Sequence, residues 1–252
     1  FWVSRFESKV AGYVDFLNAV DAAAGLTVVD GQVKRATGGE VYCLTQAAEA
    51  GACVAYDAQA AAGARFSAAT DRDEHPMVFV SWFGAAAYGN WKSGESGLTP
   101  VYDPANGWVA NALADGYRLP TEAEWRKAAA WDPVTGLFRV YGTGADTLGA
   151  EDANYLNSGD AAETEEVRTL ACGSYSTLSP TGISDASGNV WEWCQDLFES
   201  GGEFDTDPHA VRGGGWGNLK TDLTAASRSG FKPGQALSTV GFRIVTTTQI
   251  AH

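Results

Sequence analysis

The run Gly182-Ile183-Ser184-Asp185-Ala186-Ser187-Gly188-Asn189-Val190-Trp191-Glu192-Trp193 constrains this chain more than any other stretch. Twelve residues hold a turn-forming segment, two acidic side chains and two tryptophans. A loop with those parts suits wrapping a hard cation while staying anchored in a core. Calcium takes about six to eight oxygens, and the carboxylates of Asp185 and Glu192 with the carbonyls between them are suitable donors. Trp191 and Trp193 are two apart, so in extended chain they face one way and Glu192 the other. One side is then buried and the other meets the ion. The same run also suits an ordinary turn before a half-buried strand, and it lacks EF-hand spacing.

Such a loop needs a scaffold, and the composition describes one. Thirty glycines and nine tryptophans predict a loop-rich fold held by large aromatic anchors, because glycine-rich loops have no side chains with which to pack themselves. A helical bundle is excluded. With 45% hydrophobic and 19% charged residues in 252, the chain can build a sizeable core and is not disordered. A net charge of −14 without any Lys/Arg cluster argues against nucleic acid and anionic membrane surfaces as partners. No apolar run is long enough to predict a membrane span, and no charged n-region precedes an apolar one. The first residue is Phe1 rather than Met, which predicts a processed product or a part of a longer chain. Cys43, Cys53, Cys172 and Cys194 lack CxxC spacing for zinc or redox work. Cys43 and Cys53 suit either a local disulfide, if the protein is exported, or two free buried thiols.

Along the chain, Phe1 to Glu7 reads as a strand feeding an amphipathic helix through Val10, Tyr13, Phe16, Leu17 and Val20, which stops at Gly25. Residues 26–75 read as an irregular insertion with short strands around Val41–Leu44 and Val54–Tyr56. Met77 to Val80 reads as a strand and Ser81 as the N-cap of a helix through Trp91. Thr121 and Glu124 form a capping box at the head of a helix ending near Asp132-Pro133. Residues 136–181 form a long acidic connection. Val211 to Trp216 and Gly241 to Val245 read as strands that pin a polar loop between them.

Several of these pieces occur together in one known order. Val80-Ser81-Trp82 before a helix, Tyr117-Arg118-Leu119-Pro120-Thr121-Glu122-Ala123-Glu124-Trp125, Gly188-Asn189-Val190-Trp191-Glu192-Trp193, Arg212-Gly213-Gly214-Gly215-Trp216 and Gly241-Phe242-Arg243 resemble the formylglycine-generating enzyme, or sulfatase-modifying factor, family. The resemblance runs from about Pro76 to Val245, and Phe1 to Val20 looks like the family's opening strand and helix. It implies a single α+β domain of the C-type-lectin-like kind over 1–252, two main helices around a twisted antiparallel sheet, and many irregular loops. It also implies calcium held by Asp185, the carbonyls of Gly188 and Val190, and Glu192. A second calcium site is implied at Asn154 and the carbonyl of Tyr155, with Glu163 and Glu165 as weaker candidates.

The family's oxidase chemistry uses two cysteines about five apart after the Gly-Gly motif, which bind copper. Cu(I) selects thiolates, and the segment Trp216 to Ser229 contains none. No copper is therefore expected. The related sulfoxide synthases need a His-rich iron motif, and this chain has only His75, His209 and His252. The resulting expectation is a non-catalytic protein that binds a protein or small-molecule ligand through its C-terminal loop, using Trp216, Asn218, Leu219, Lys220, Asp222, Leu223, Arg228 and Phe231. Arg228 and Arg243 also read as structural forks, and Trp216 as a core anchor. The alternatives are a metal-dependent oxidase with an altered site, a retroelement-diversified variable binding protein, and a structural subunit of an extracellular or membrane-associated assembly. Exposure to calcium suits an extracellular or periplasmic setting.

Overall fold

Local capping chemistry sets the helices. The computed structural model describes residues 1–159 and 169–248. After a short strand β1 (Trp2–Val3), helix α1 (Val10–Ala22) buries Val10, Tyr13, Phe16 and Leu17 at helical spacing. It closes at Gly25, whose N–H donates to Val20 O at 2.9 Å. Helix α2 (Trp82–Glu95) starts at Ser81, whose Oγ accepts the Gly84 N–H at 3.0 Å. Helix α3 (Glu122–Ala130) carries the complete capping box: Thr121 Oγ1 accepts from Glu124 N at 3.2 Å and Glu124 Oε2 from Thr121 N at 2.9 Å. The three helices are the three read from periodicity and caps in the sequence, the Thr121 box making the third and shortest self-supporting beside the two main ones that the resemblance implies.

Residues 26–75 are more regular than expected. Strands β2 (Leu26–Val29), β3 (Gln32–Arg35) and β4 (Val41–Leu44) form an antiparallel sheet, and β5 (Val54–Tyr56) pairs with β6 (Phe66–Ala68). Asp30 and Gly31 turn β2 into β3 with φ of 50° and 73°, the left-handed pair that a tight hairpin requires. Met77 to Val80, by contrast, makes only a single bridge from Val80 to Cys43; Phe79 sits at φ 53° and breaks the extended run. Small hairpins follow as β7 (Tyr102–Asp103) with β8 (Val109–Ala110), and β9 (Trp131–Asp132) with β10 (Leu137–Phe138).

The central sheet is assembled late in the chain from β11 (Trp191–Leu197), β12 (His209–Arg212), β13 (Arg228–Phe231) and β14 (Val240–Gly241). Its order is β13-β12-β11-β14, antiparallel except for the β11–β14 pair. Strand β15 (Val245–Thr246) returns to pair with β1, which brings the two ends of the described chain together. Tryptophans rivet helix to sheet. Trp82 Nε1 donates to Cys194 O at 2.9 Å and Trp193 Nε1 to Val80 O at 3.1 Å, both rings being buried. Each ring adds a large apolar area to the core while its single polar hydrogen finds an acceptor. Cys43, Cys53 and Cys194 are buried free thiols and Cys172 is a half-buried one, so the local disulfide is not formed.

Candidate functional site

The Gly182–Trp193 loop is held by backbone geometry that few residues tolerate. Asp185 and Asn189 have φ of 59°, and Gly188 has φ of 86°. A Cβ at Gly188 would lie 2.3 Å from Asn154 O, so only glycine fits there. The loop is tied to three other segments: Ser184 N donates to Arg5 O, Gly188 N to Gly213 O, Asn189 N to Asn154 O, and Asn189 O accepts from Trp216 N, all within 2.8–3.0 Å.

From this loop the chain enters β11, where Trp191, Glu192 and Trp193 are all buried. Glu192 faces away from Trp193, as period-two alternation requires, but the face it meets is closed by protein. Its Oε2 accepts from Arg243 Nε at 2.6 Å and from Trp125 Nε1 at 2.7 Å, and its Oε1 from Arg243 Nη2 at 2.6 Å. Arg243 spends its other donors on Ser4 O, Arg5 O and Ser184 O at 3.0–3.2 Å. Burial works against this guanidinium, but Glu192 outweighs it and holds the Arg243 pKa above its ordinary value. Arg243 thus has the structural fork role read for it from the sequence, holding a carboxylate and loop carbonyls.

A third carboxylate belongs to the same cluster and was not read from the sequence. Glu7 is 2% exposed and accepts from Asn189 Nδ2 at 3.1 and 3.2 Å. Burial, then the nearby charges of Asp185 and Glu192, push its pKa well above the usual carboxylate range. Burial also raises Asp185, although Gly173 N, which donates to its Oδ2 at 2.6 Å, pulls the other way. The signal for Glu7 was a lone acid in an otherwise aromatic strand, at the edge of a core that closes only in three dimensions.

When ionised, the three carboxylates around one guanidinium carry an excess of negative charge that a divalent cation would balance. Asp185 and Glu7 are the carboxylates not locked into an ion pair, and Glu192 keeps one lone-pair direction of Oε1 after its bonds to Arg243 and Trp125. The donor set therefore fits a hard cation in charge and atom type. As the side chains stand, no three His, Cys, Asp or Glu groups converge on one point among the described residues. At the second position, Asn154 and Tyr155 are buried, and Asn154 Nδ2 donates to Asn189 Oδ1 at 3.2 Å, so Asn189 bridges the two. Glu163 and Glu165 lie outside the described residues.

The C-terminal loop sorts its candidate residues into two groups. Leu219 is 51% exposed, and Lys220 and Asp222 are exposed on a single 3-10 turn, Lys220–Asp222. The others turn inward. Asn218 Oδ1 accepts from Trp191 Nε1 at 2.8 Å and Gly215 N at 3.1 Å; Trp216 is half-buried and donates to Ser238 O at 3.2 Å. Leu223 is fully buried, packed with Leu148, Ala153 and Tyr155, and offers nothing to a ligand. Phe231 is half-buried with its ring edge-on to Trp193. Arg228 is exposed at the surface but bonds Glu122 at 2.7 and 2.9 Å and lies over the Phe198 ring at 4.3 Å. Arg212 fixes the base of the loop through Glu122 and the carbonyls of Ala225, Ala226 and Ser227. A Cu(I) dithiolate centre does not fit these residues. The segment has no thiol, and burial raises the pKa values of Cys43, Cys53, Cys172 and Cys194, favouring the protonated forms that bind no metal.

A lectin-like α+β scaffold with a carboxylate-lined loop and a sulfur-free C-terminal segment is the class of protein that this geometry defines. The chain belongs to the sulfatase-modifying factor enzyme 1-like domain family, whose model matches residues 1–248. It is 33% identical over 183 residues to "Serine/threonine-protein kinase Pkn1" of Chlamydia trachomatis serovar L2, covering 68% of this chain and 24% of that protein. It is 31% identical over 199 residues to the formylglycine-generating enzyme of Streptomyces coelicolor, covering 72% of this chain and 55% of that one. Among solved structures, CarF superposes with a TM-score of 0.70 at 25% identity, over 98% of this chain and 86% of its own. The chain spans about a quarter of the length of the chlamydial kinases it matches.

Proposed function

We propose that this domain is a non-catalytic binding module that keeps the family scaffold and presents the knuckle Leu219–Asp222 to a protein or small-molecule partner. The observation that carries the reading is the state of the segment Trp216 to Ser229. It has no thiol for copper, its inward side chains are spent on internal hydrogen bonds, and its outward ones form an exposed turn on a clamped base. A loop pinned at both ends can vary its exposed residues without disturbing the core. The partial coverage of the kinases supports the same reading, since a domain that fills a quarter of a larger protein can serve chemistry located elsewhere in it. We further propose that Ca²⁺ binds at Asp185 and Glu7 with the carbonyls of Gly188 and Val190 and the remaining Oε1 direction of Glu192. Buried Glu7 and half-buried Asp185 support it as carboxylates that form no ion pair among the described residues.

Incubation with Cu(I) and a cysteine-containing sulfatase peptide tests the non-catalytic reading. No aldehyde product is expected, and more than one turnover per chain overturns it. Calcium is tested separately by the melting temperature in chelator; an unchanged melt removes the ion from the account.

A further inference from the structure

A cleft away from the loop knuckle is built for a different kind of contact. It lies between the N-terminal strand, α3 and the turn at residues 181–183, and has a volume of about 460 Å³, within the range that holds small organic ligands. Trp2, Val3, Ala128 and Ile183 give it an apolar lining, and Arg5 and Lys127 line it as well. The walls are fixed to one another. Ser184 N donates to Arg5 O at 2.9 Å, Ser4 N to Ile244 O at 3.0 Å, and Thr181 Oγ1 to Ala128 O at 2.5 Å. The cleft is therefore open without rearrangement, which lowers the cost of filling it.

Its charge is opposite to that of the molecule. The chain carries a net −14, and seven of the described arginines are paired with carboxylates. Arg5 lies over the Phe6 ring, and among the described residues neither its side chain nor that of Lys127 has a hydrogen-bond or ion-pair partner. Both are exposed, and Trp2 beside them leaves 55% of its surface in water. Two unneutralised cations beside an exposed indole complement a ligand with an anionic end and an apolar end.

We propose that this cleft binds a carboxylate set beside an aromatic or branched apolar group, with the carboxylate at Arg5 and Lys127 and the apolar group on Trp2 and Ile183. A free N-acyl amino acid and the C-terminus of a polypeptide both present this chemistry. It is independent of the copper and calcium readings, since none of the residues involved belongs to those sites.

The test is a titration of the full natural protein with N-acetyl-L-phenylalanine and, as the uncharged control, its amide, followed by calorimetry. Saturable binding with a dissociation constant on the order of 1 mM or tighter is expected for a ligand of this size, weakened about tenfold or more in the amide. The double variant Arg5→Gln with Lys127→Gln should lose binding with little change in melting temperature, because among the described residues neither side chain makes a hydrogen bond or ion pair and Arg5 only lies over the Phe6 ring. Trp2→Ala should weaken binding by a similar factor. A tripeptide ending in phenylalanine distinguishes the sources: tighter binding than the N-acyl amino acid assigns a polypeptide terminus, and equal or weaker binding assigns the free acid. Absence of saturable binding, equal affinity for acid and amide, or unaltered binding by the double variant overturns the proposal. Self-association abolished by Lys127→Glu overturns it in favour of a second copy of the chain.

Discussion

The loop before β11 and the loop after β12 touch each other and are stabilised in opposite ways. Residues 182–190 lead into a buried ion pair, with Glu192 and Arg243 both essentially without solvent exposure and every guanidinium donor spent. Residues 217–227 are anchored at Asn218 and Leu223 but turn Leu219, Lys220 and Asp222 into water. Trp216 N on Asn189 O joins the first loop to the start of the second. The difference separates stability from recognition. A change in the first loop strands a charge in the core, whereas a change on the knuckle alters only what the surface offers.

The largest break in this comparison comes from Arg243→Ala. Removing one partner of a buried pair leaves the other uncompensated, and a loss of about 3–5 kcal/mol is expected. Chemical denaturation measures it, and a loss below about 1 kcal/mol would mean that Glu192 is solvated and the first loop is not closed. Arg228→Ala, at the first residue of β13 just after the second loop, supplies the control. Its guanidinium is exposed at the surface, so the cost there should stay within about 1 kcal/mol.

Acid should act next, between the two loops. His209 in β12 is buried against the Trp82 ring at 4.0 Å, with Nδ1 3.1 Å from Gln195 O and Nε2 2.8 Å from Phe204 O. Burial pushes its pKa down to about 4, against the pull of the two carbonyls. A depressed histidine is neutral in the folded state and charges more readily when unfolded. Its contribution is therefore present above the ordinary value near ~6.5 and lost as pH falls toward about 4, amounting to about 3 kcal/mol in full. Glu7 and Asp185 have raised values and so favour the folded state as they protonate, the opposite sign. The difference between the wild-type and His209→Gln melting curves from pH 7 to 4 isolates the histidine; parallel curves would show that it does not titrate as described.

Chelation asks whether the first loop holds an ion as well as an ion pair. At a calcium concentration about a hundredfold above the dissociation constant, binding adds about 2.7 kcal/mol, and chelator should remove it. Glu7→Gln should reduce the calcium-dependent shift more than any knuckle substitution does.

What could be read from the sequence follows from the range of each interaction. The caps at Ser81 and Thr121 are local, with partners three residues away, and the structure has both. The turn before Trp191 is equally local, since its glycines and asparagine carry the backbone geometry themselves. Within residues 26–75, β4 and β5 were read from the sequence, whereas β2, β3 and β6 escaped because they lie partly at the surface, where half-buried positions in β2 alternate without strong hydrophobic contrast. Glu7 escaped for a different reason. Its partner Asn189 is 182 positions away, and the charge cluster exists only once the end of the chain has folded back on its beginning. Leu223 was placed on the binding surface as part of the C-terminal loop, but Gly188 and Gly214 leave room for its side chain to insert.

The smallest expected effect is the one that sharpens the comparison most. Leu219→Ser removes an exposed apolar side chain from the knuckle, where 51% of its surface already meets water. Surface substitutions away from caps and cores change stability by about 0.5 kcal/mol or less, so the melting temperature should hold within about 2 °C. The same substitution removes the knuckle's apolar contact, with Lys220 and Asp222 left as its charged flank. If the knuckle is a recognition surface, a partner isolated by wild-type protein should be lost by Leu219→Ser and retained by a Thr135→Ser control in the β9–β10 turn. A large loss of stability would place Leu219 in the folding core with Leu223 and end the distinction between the two loops. Unaltered stability with unaltered partner binding would leave the scaffold intact and move recognition off this turn.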